Sequence, residues 1–170
     1  VPRKQAKDIN LGLFYGMGSK KLAASLGLEY EEAQDLFATY HEKVPFVREL
    51  SDYSVNRASQ KGVIRTVLGR RCRFDKWEPS KYGVWKPLSY KDAYAEHGAA
   101  IKRAFTYKAL NKLIQGSAAD QTKAALATLA EEGILPMIQV HDELDISVEN
   151  EAQCKKIVEI MQDCVKLEVP

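Results

Sequence analysis

Met137-Ile138-Gln139-Val140-His141-Asp142-Glu143-Leu144-Asp145-Ile146-Ser147-Val148 holds two short apolar runs, 137–140 and 144–148, separated by three polar residues. Runs of this length around a charged break read as a β-hairpin with His141-Asp142-Glu143 at its tip. Helical patterning lies on both sides. Residues 92–132 keep apolar positions at helical spacing up to the stop signal Gly133, with Gly116 as a place to bend, and residues 150–167 form a final helix placed to cover the hairpin. A hairpin set between helices makes the chain α+β.

Upstream, the pattern is helical and punctuated. Residues 3–15 carry Ile9, Leu11, Leu13 and Phe14 among lysines, with Pro2 near the start and Gly16 and Gly18 as breaks. Ser19 is placed to cap a helix over 20–26 that ends at Gly27. Residues 29–43 bring Ala33, Leu36, Phe37 and Tyr40 to one face, and Pro45 closes that helix and opens another to about residue 60. The β-branched run 63–68 predicts a strand ending at Gly69. Residues 72–90, with Trp77, Pro79, Tyr82, Gly83, Trp85 and Pro87, show no period and read as a long irregular loop.

The chain has 170 residues, 45% hydrophobic and 28% charged, enough apolar material for a core. That composition excludes a disordered tail, a collagen and a disulfide-framed miniprotein, and no run is long and apolar enough to span a membrane. Cys72, Cys154 and Cys164 are odd in number and lack metal-ligand spacing, so they are expected to be free thiols in a cytoplasmic protein. The opening at Val1-Pro2-Arg3 without Met, and the stop at Val169-Pro170, suggest a piece of a longer chain. Charge is unevenly spread: residues 1–60 hold 8 basic and 8 acidic groups, 61–128 hold 14 and 5, and 129–170 hold 3 and 10. A middle this basic suits a polyanion, and a solvated loop with extra lysines fits it too.

Three groups of residues carry chemistry. Arg3, Lys7, Leu11 and Tyr15 recur every four residues, so one helix face presents two cations, an apolar contact and a ring, a set able to hold a nucleotide. A solvated basic face is the other reading. Asp142 and Glu143 at a hairpin tip offer carboxylates on rigid arms, as magnesium requires, although charged turns often bind nothing. One aspartate cannot hold two metal ions, and Asp145, past the tip, is a poor second. Asn111 and Gln115 stand one turn apart and could present amides to a groove, while Gly116-Ser117-Ala118-Ala119 reads better as tight helix packing.

In their order, Arg3-x-x-x-Lys7-x-x-x-Leu11-x-x-x-Tyr15-Gly16, Leu110-Asn111-x-x-x-Gln115-Gly116-Ser117-Ala118-Ala119-Asp120 and Gln139-Val140-His141-Asp142-Glu143-Leu144 resemble the family A DNA polymerases. The chain looks like the C-terminal fingers and palm of a DNA polymerase I type enzyme, and the resemblance spans nearly all of it. The 109–120 stretch and the long insert after Gly69-Arg70-Arg71 look more like a phage or prophage polymerase than a bacterial housekeeping one. The resemblance implies a right-hand fold with helical fingers over 1–62, a strand and basic insert over 63–91, and a palm over 92–170 built from a long helix, a small antiparallel hairpin and a C-terminal helix.

It also implies template-directed 5′ to 3′ DNA synthesis from dNTPs with two magnesium ions. Arg3 and Lys7 would bind the triphosphate, Lys7 nearest the reacting phosphorus. Leu11 would face the sugar, Tyr15 would sit by the nascent base pair, and Gly16 would let the helix swing. Asp142 would hold metal with Glu143 beside it, and His141 would meet the primer end. Asn111 and Gln115 would approach the minor groove of the primer-template, and Arg70 and Arg71 would hold phosphates. The partners would be DNA, dNTPs and the rest of the polymerase chain, with no membrane. The family's other metal aspartate lies upstream of the first helix, so this piece is expected to lack half of its metal site, the thumb and any exonuclease domain, and to be inactive alone. Leu11 stands where better-known members have Phe or Tyr, and Tyr107 stands where arginine is common, with Lys108 adjacent. The competing class is a non-catalytic nucleic-acid-binding module in which the tip is an ordinary turn.

Overall fold

A computed structural model describes residues 3–168, apart from the side chains of Gln5 and Asp8. The expected position of Pro2 at the first helix start lies outside the described residues. The architecture is α+β: among the described residues there are seven α-helices and short strands, grouped in two compact units, Val1–Ile64 with Arg73–Asn111 and Arg65–Cys72 with Lys112–Pro170.

The first unit opens with α1 (Arg3–Phe14), α2 (Ser19–Leu26), α3 (Tyr30–Lys43) and α4 (Pro45–Lys61). Leu13, Leu22 and Ala33 form its sealed centre, with Ile9, Leu26, Phe37 and Tyr40 packed around them. Burying one face of α1 in this way fixes which of its side chains face water. Gly27, at φ 65°, closes α2 with a left-handed cap, where a side chain would be strained. The expected Ser19 cap does not form: Ser19 is the first helical residue, and Gly18 occupies the cap position without a side-chain bond.

After α4 come β1 (Val63–Arg65), β2 (Arg71–Arg73) and β3 (Trp77–Pro79), then α5 (Tyr90–His97) and β4 (Ile101–Arg103). This corrects three expectations. The strand expected over 63–68 stops at Arg65, because Thr66–Gly69 turns instead: the Thr66 N–H donates to the Arg70 carbonyl at 3.0 Å and that of Gly69 to the Thr66 carbonyl at 2.8 Å. The loop expected over 72–90 contains β3, which pairs antiparallel with β4, Glu78 opposite Lys102, and Trp77 also exchanges two hydrogen bonds with Leu88. The helical pattern over 92–132, too long for one ordinary helix, divides at Gly98 and not at the bend expected near Gly116: Gly98, at φ 63°, leaves the helical path and Ile101–Arg103 pairs with β3. A 3₁₀ turn, Thr106–Lys108, then packs on α4.

In the second unit, α6 (Ala109–Glu131) runs unbroken through Gly116. β5 (Ile138–Val140) and β6 (Glu143–Asp145) form the expected hairpin, and α7 (Glu151–Asp163) covers it. Leu129, Ile134 and Ile157 make the core, with Leu144, Ile146, Ile160 and Met161 against them. Asn150 caps α7 by accepting from the Gln153 N–H at 2.9 Å, while the Gln153 side chain accepts from the Glu149 N–H at 2.7 Å. The loop of the hairpin is shorter than expected. Glu143 pairs with Val140 on β6, so the tip is His141-Asp142 alone, with His141 at φ 55°.

Candidate nucleotide and nucleic-acid site

On α1, inward Leu13 turns Arg3, Lys7 and Leu11 to solvent and leaves Tyr15 half-buried just past the helix end. Neither cation makes an ion pair among the described side chains. The Tyr15 N–H still donates to the Leu11 carbonyl at 3.0 Å, which continues the four-residue stripe through the ring. Gly16 follows at φ 86°, a conformation that a side chain would disfavour, so the chain turns directly beneath the aromatic. An apolar cavity of about 580 Å³ also abuts α1, but Ile9 and Leu13 line it together with Leu26, Leu28, Leu36 and Val44, on a different face from the stripe.

In the second unit the tip residues His141 and Asp142 are exposed, as is Glu143 on β6. Alternation along β6 explains this: Leu144 points into the core, so Glu143 and Asp145 point out. The Gln139 side-chain amide donates to the His141 carbonyl at 3.1 Å, which braces the left-handed residue. Among the described residues no three His, Cys, Asp or Glu side chains converge as a metal cage. Asp142 is nonetheless an exposed hard-oxygen donor without an ion pair among the described residues, and magnesium commonly takes one or two protein carboxylates plus substrate phosphate.

Asn111 is half-buried and Gln115 is exposed, one turn apart on α6. Arg71, on β2, is exposed. Arg70 is different, because the protein itself engages it. Its Nε donates to Asp120 at 2.7 Å and its Nη2 to the Gly116 carbonyl at 2.7 Å, although 43% of the side chain is still exposed. Asp120 is buried, which pushes its pKa up, but the nearby Thr66 hydroxyl, the Arg70 hydrogen bond and the guanidinium charge outweigh that and hold it below the usual carboxylate value.

The sequence reading missed this clamp. The Thr66–Arg70 turn sits on α6 through Ser117, which accepts from the Val67 N–H at 3.0 Å and donates to the Leu113 carbonyl at 2.8 Å. A Cβ at Gly116 would come within 2.8 Å of the Thr66 methyl, so the small residues of α6 serve close packing against the turn. The only signal in the sequence was the small-residue run itself, since Arg70 and Asp120 are 50 positions apart. Beside Tyr107, Lys108 carries its charge over the Phe105 and Tyr107 rings, 4.9 and 5.6 Å from the centroids.

The described helices include none long and apolar enough to cross a membrane. The sequence model of DNA polymerase family A matches residues 1–170. The chain is 35% identical to a DNA-directed DNA polymerase of Pseudomonas phage M6, over 100% of its own length and 28% of that protein's. It is 33% identical to DNA polymerase I of Bacillus caldotenax, covering 99% of the chain and 18% of the relative. Among solved structures it resembles the POL domain of Pol1 from M. smegmatis in complex with DNA primer-template and dNTP, at 30% identity and a TM-score of 0.72, covering 99% of this chain and 28% of that one. The chain therefore spans between a sixth and a third of the length of these proteins.

Proposed function

The chain belongs to DNA polymerase family A, and from that premise we propose that it forms the fingers and part of the palm of an enzyme that extends a DNA primer along a template. The reaction is attack of the primer 3′-hydroxyl on the α-phosphorus of a dNTP, with departure of pyrophosphate. The observation that carries the proposal is the family match over the full 170 residues, motifs in order. The exposed cations of α1 and the exposed carboxylate of the hairpin tip support it.

In this reading Arg3 and Lys7 receive the triphosphate, because two exposed cations one helical turn apart match a chain of phosphates. Lys7 lies nearest the breaking bond and stabilises the charge that grows on the leaving pyrophosphate. Leu11 packs on the sugar and Tyr15 borders the new base pair, with Gly16 as the pivot of α1. Asn111 and Gln115 read the minor-groove side of the primer-template and His141 meets the primer end. Arg71 holds backbone phosphate with the outward part of Arg70.

Two magnesium ions, when bound, stabilise the attacking and leaving oxygens of such a displacement. Asp142, with Glu143 beside it, is this chain's share in holding them, and a second aspartate comes from the rest of the polymerase chain. Met137, Ile138 and Val140 are exposed on and beside β5, whose strand partner among the described residues is β6 alone, so this apolar surface suits the remainder of the palm. The place of work is the cytoplasm, where DNA and dNTPs are found.

The test is primer extension on a defined template. The polymerase that carries this segment should extend the primer, and the 170-residue chain alone should not, because one carboxylate cluster cannot place two metals. Extension by the pure isolated chain would overturn the assignment of an outside aspartate. No extension by the whole protein would overturn the activity.

A further inference from the structure

The insert that follows β2 carries an aromatic and basic surface that the roles above leave unused. Mutual hydrogen bonds of 2.9 Å between Trp77 and Leu88 pinch the segment at its base, so residues 81–86 stand out as a projection. On it Tyr82 is fully exposed. Beside the pinch, Tyr90 and Tyr94 on α5 lie with rings stacked, 6.0 Å between centroids and 30° between planes, and each stays about half exposed. Trp77 braces Tyr90 edge-on at 5.0 Å, and Arg103 in turn lies over the Trp77 ring at 4.6 Å. The outward rings are thus held in place instead of collapsing into the core.

Lysines lie among these rings. Lys81, Lys86 and Lys91 are exposed and make no ion pair among the described residues. Of the acids nearby, Glu78 pairs with Lys102 at 3.7 Å, Asp92 accepts from the Ser89 hydroxyl at 2.7 Å, and Glu96 lies 3.3 Å from His97. Exposed rings, two of them braced, interleaved with lysines that make no ion pair among the described residues match a strand whose bases are unstacked and whose backbone is anionic. A duplex hides its base faces, and the core of a protein interface is depleted in charge, so neither occupant suits three exposed lysines among tyrosines as well.

We propose that Tyr82, Tyr90 and Tyr94, with Lys81, Lys86 and Lys91, bind single-stranded DNA by base stacking and backbone attraction. The proposal rests on the polymerase reading, which supplies DNA as the partner, and adds to it a second surface outside the motifs that carry the reaction. Aromatic platforms of this kind tolerate any base sequence, which suits a strand that is a template and not a recognition site.

The experiment is fluorescence anisotropy of the 170-residue chain with a labelled oligothymidylate and, separately, with a hairpin duplex. Tyr90→Ala with Tyr94→Ala should weaken oligothymidylate binding about tenfold or more and leave duplex binding unchanged, while the Phe pair should keep wild-type affinity. Lys81→Ala with Lys91→Ala should flatten the salt dependence for single strands by about 1.4 in log-log slope. Tyr82→Ala tests the same surface at a fully exposed ring that the fold does not need, and should also weaken single-strand binding alone. Unchanged oligothymidylate affinity in these variants would overturn the proposal, as would equal losses on duplex. A wild-type chain that binds duplex and whose variants lose nothing sinks this surface only. A wild-type chain without affinity for oligothymidylate overturns the proposal as well, and leaves the polymerase reading to the primer-extension test of the whole protein.

Discussion

The Arg70 guanidinium is shared between the Asp120 carboxylate and the Gly116 carbonyl, each 2.7 Å away, and so ties the turn after β1 to the middle of α6. Arg70 therefore has a structural duty besides any contact with phosphate. Asp120 is 4% exposed, and a buried carboxylate kept charged by its partners is a stability element that depends on pH.

Asp120→Asn should lower stability at pH 7 by about 1–3 kcal/mol, the scale of a charged hydrogen bond. Because the folded-state pKa of Asp120 lies below the ordinary value, its stabilisation is present at neutral pH, above the unfolded value of about 3.9, and fades as pH falls through the folded value. Thermal melts of wild type and variant should accordingly differ at pH 7 and converge below about pH 4. A constant gap would mean that shape, and not charge, makes the contact.

Gly116→Ala sets two effects against each other. Alanine gains about 1 kcal/mol of helix propensity, whereas its methyl would meet the Thr66 methyl at 2.8 Å in a packed spot. Overpacking costs about 1–3 kcal/mol, so a net loss is expected. Combining it with Thr66→Ser, which deletes that methyl, should recover part of the loss in a denaturation experiment. No recovery would place the strain elsewhere.

The helical part of this fold could be read from the sequence because its punctuation is local. Gly27 and Gly62 sit at positive φ where α2 and α4 end, and Pro45 separates α3 from α4. What escaped was non-local. Trp77–Pro79 is three residues long, and its partner Ile101–Arg103 is more than twenty positions away, so neither period nor turn chemistry announced the pair. Without that pairing, Tyr90–His97 and Ala109–Glu131 merged into one helical pattern, and Gly98 did not suffice to divide them. The hairpin was legible in place but not in loop length, because a His-Asp tip needs His141 in a left-handed conformation that polar residues adopt without a glycine to mark it. For the site, spacing suggested a nucleotide-binding face on α1, and the individual roles came from the resemblance. The Arg70–Asp120 clamp joins residues that no local pattern connects.

In the polymerase that carries this segment, Lys7→Ala should reduce the maximal rate more than Arg3→Ala, since a cation nearest the breaking bond acts chiefly in the transition state. Arg3→Ala should raise the apparent KM for dNTP. Single-turnover incorporation kinetics separate the two, and small equal effects would mean that the stripe is only a solvated helix face.

Leu11 is 44% exposed on the same stripe and has neither a flat ring nor a hydroxyl. Leu11→Tyr supplies both and should raise incorporation of 3′-deoxy terminators relative to dNTPs by about 1–3 kcal/mol in discrimination. The ratio of incorporation efficiencies on one template is the readout. An unchanged ratio in an active variant would show that Leu11 does not face the sugar.

The central claim, that the tip of the β5–β6 hairpin serves nucleotidyl transfer, is tested most directly by Asp142→Asn in that polymerase, with primer extension and primer-template affinity measured on the same preparation. Removing a metal-holding charge while leaving backbone contacts intact should slow extension by more than about a hundredfold and leave duplex affinity essentially unchanged. Extension at the wild-type rate, or a loss explained wholly by weaker duplex binding, would contradict the assignment of Asp142 to the metal site.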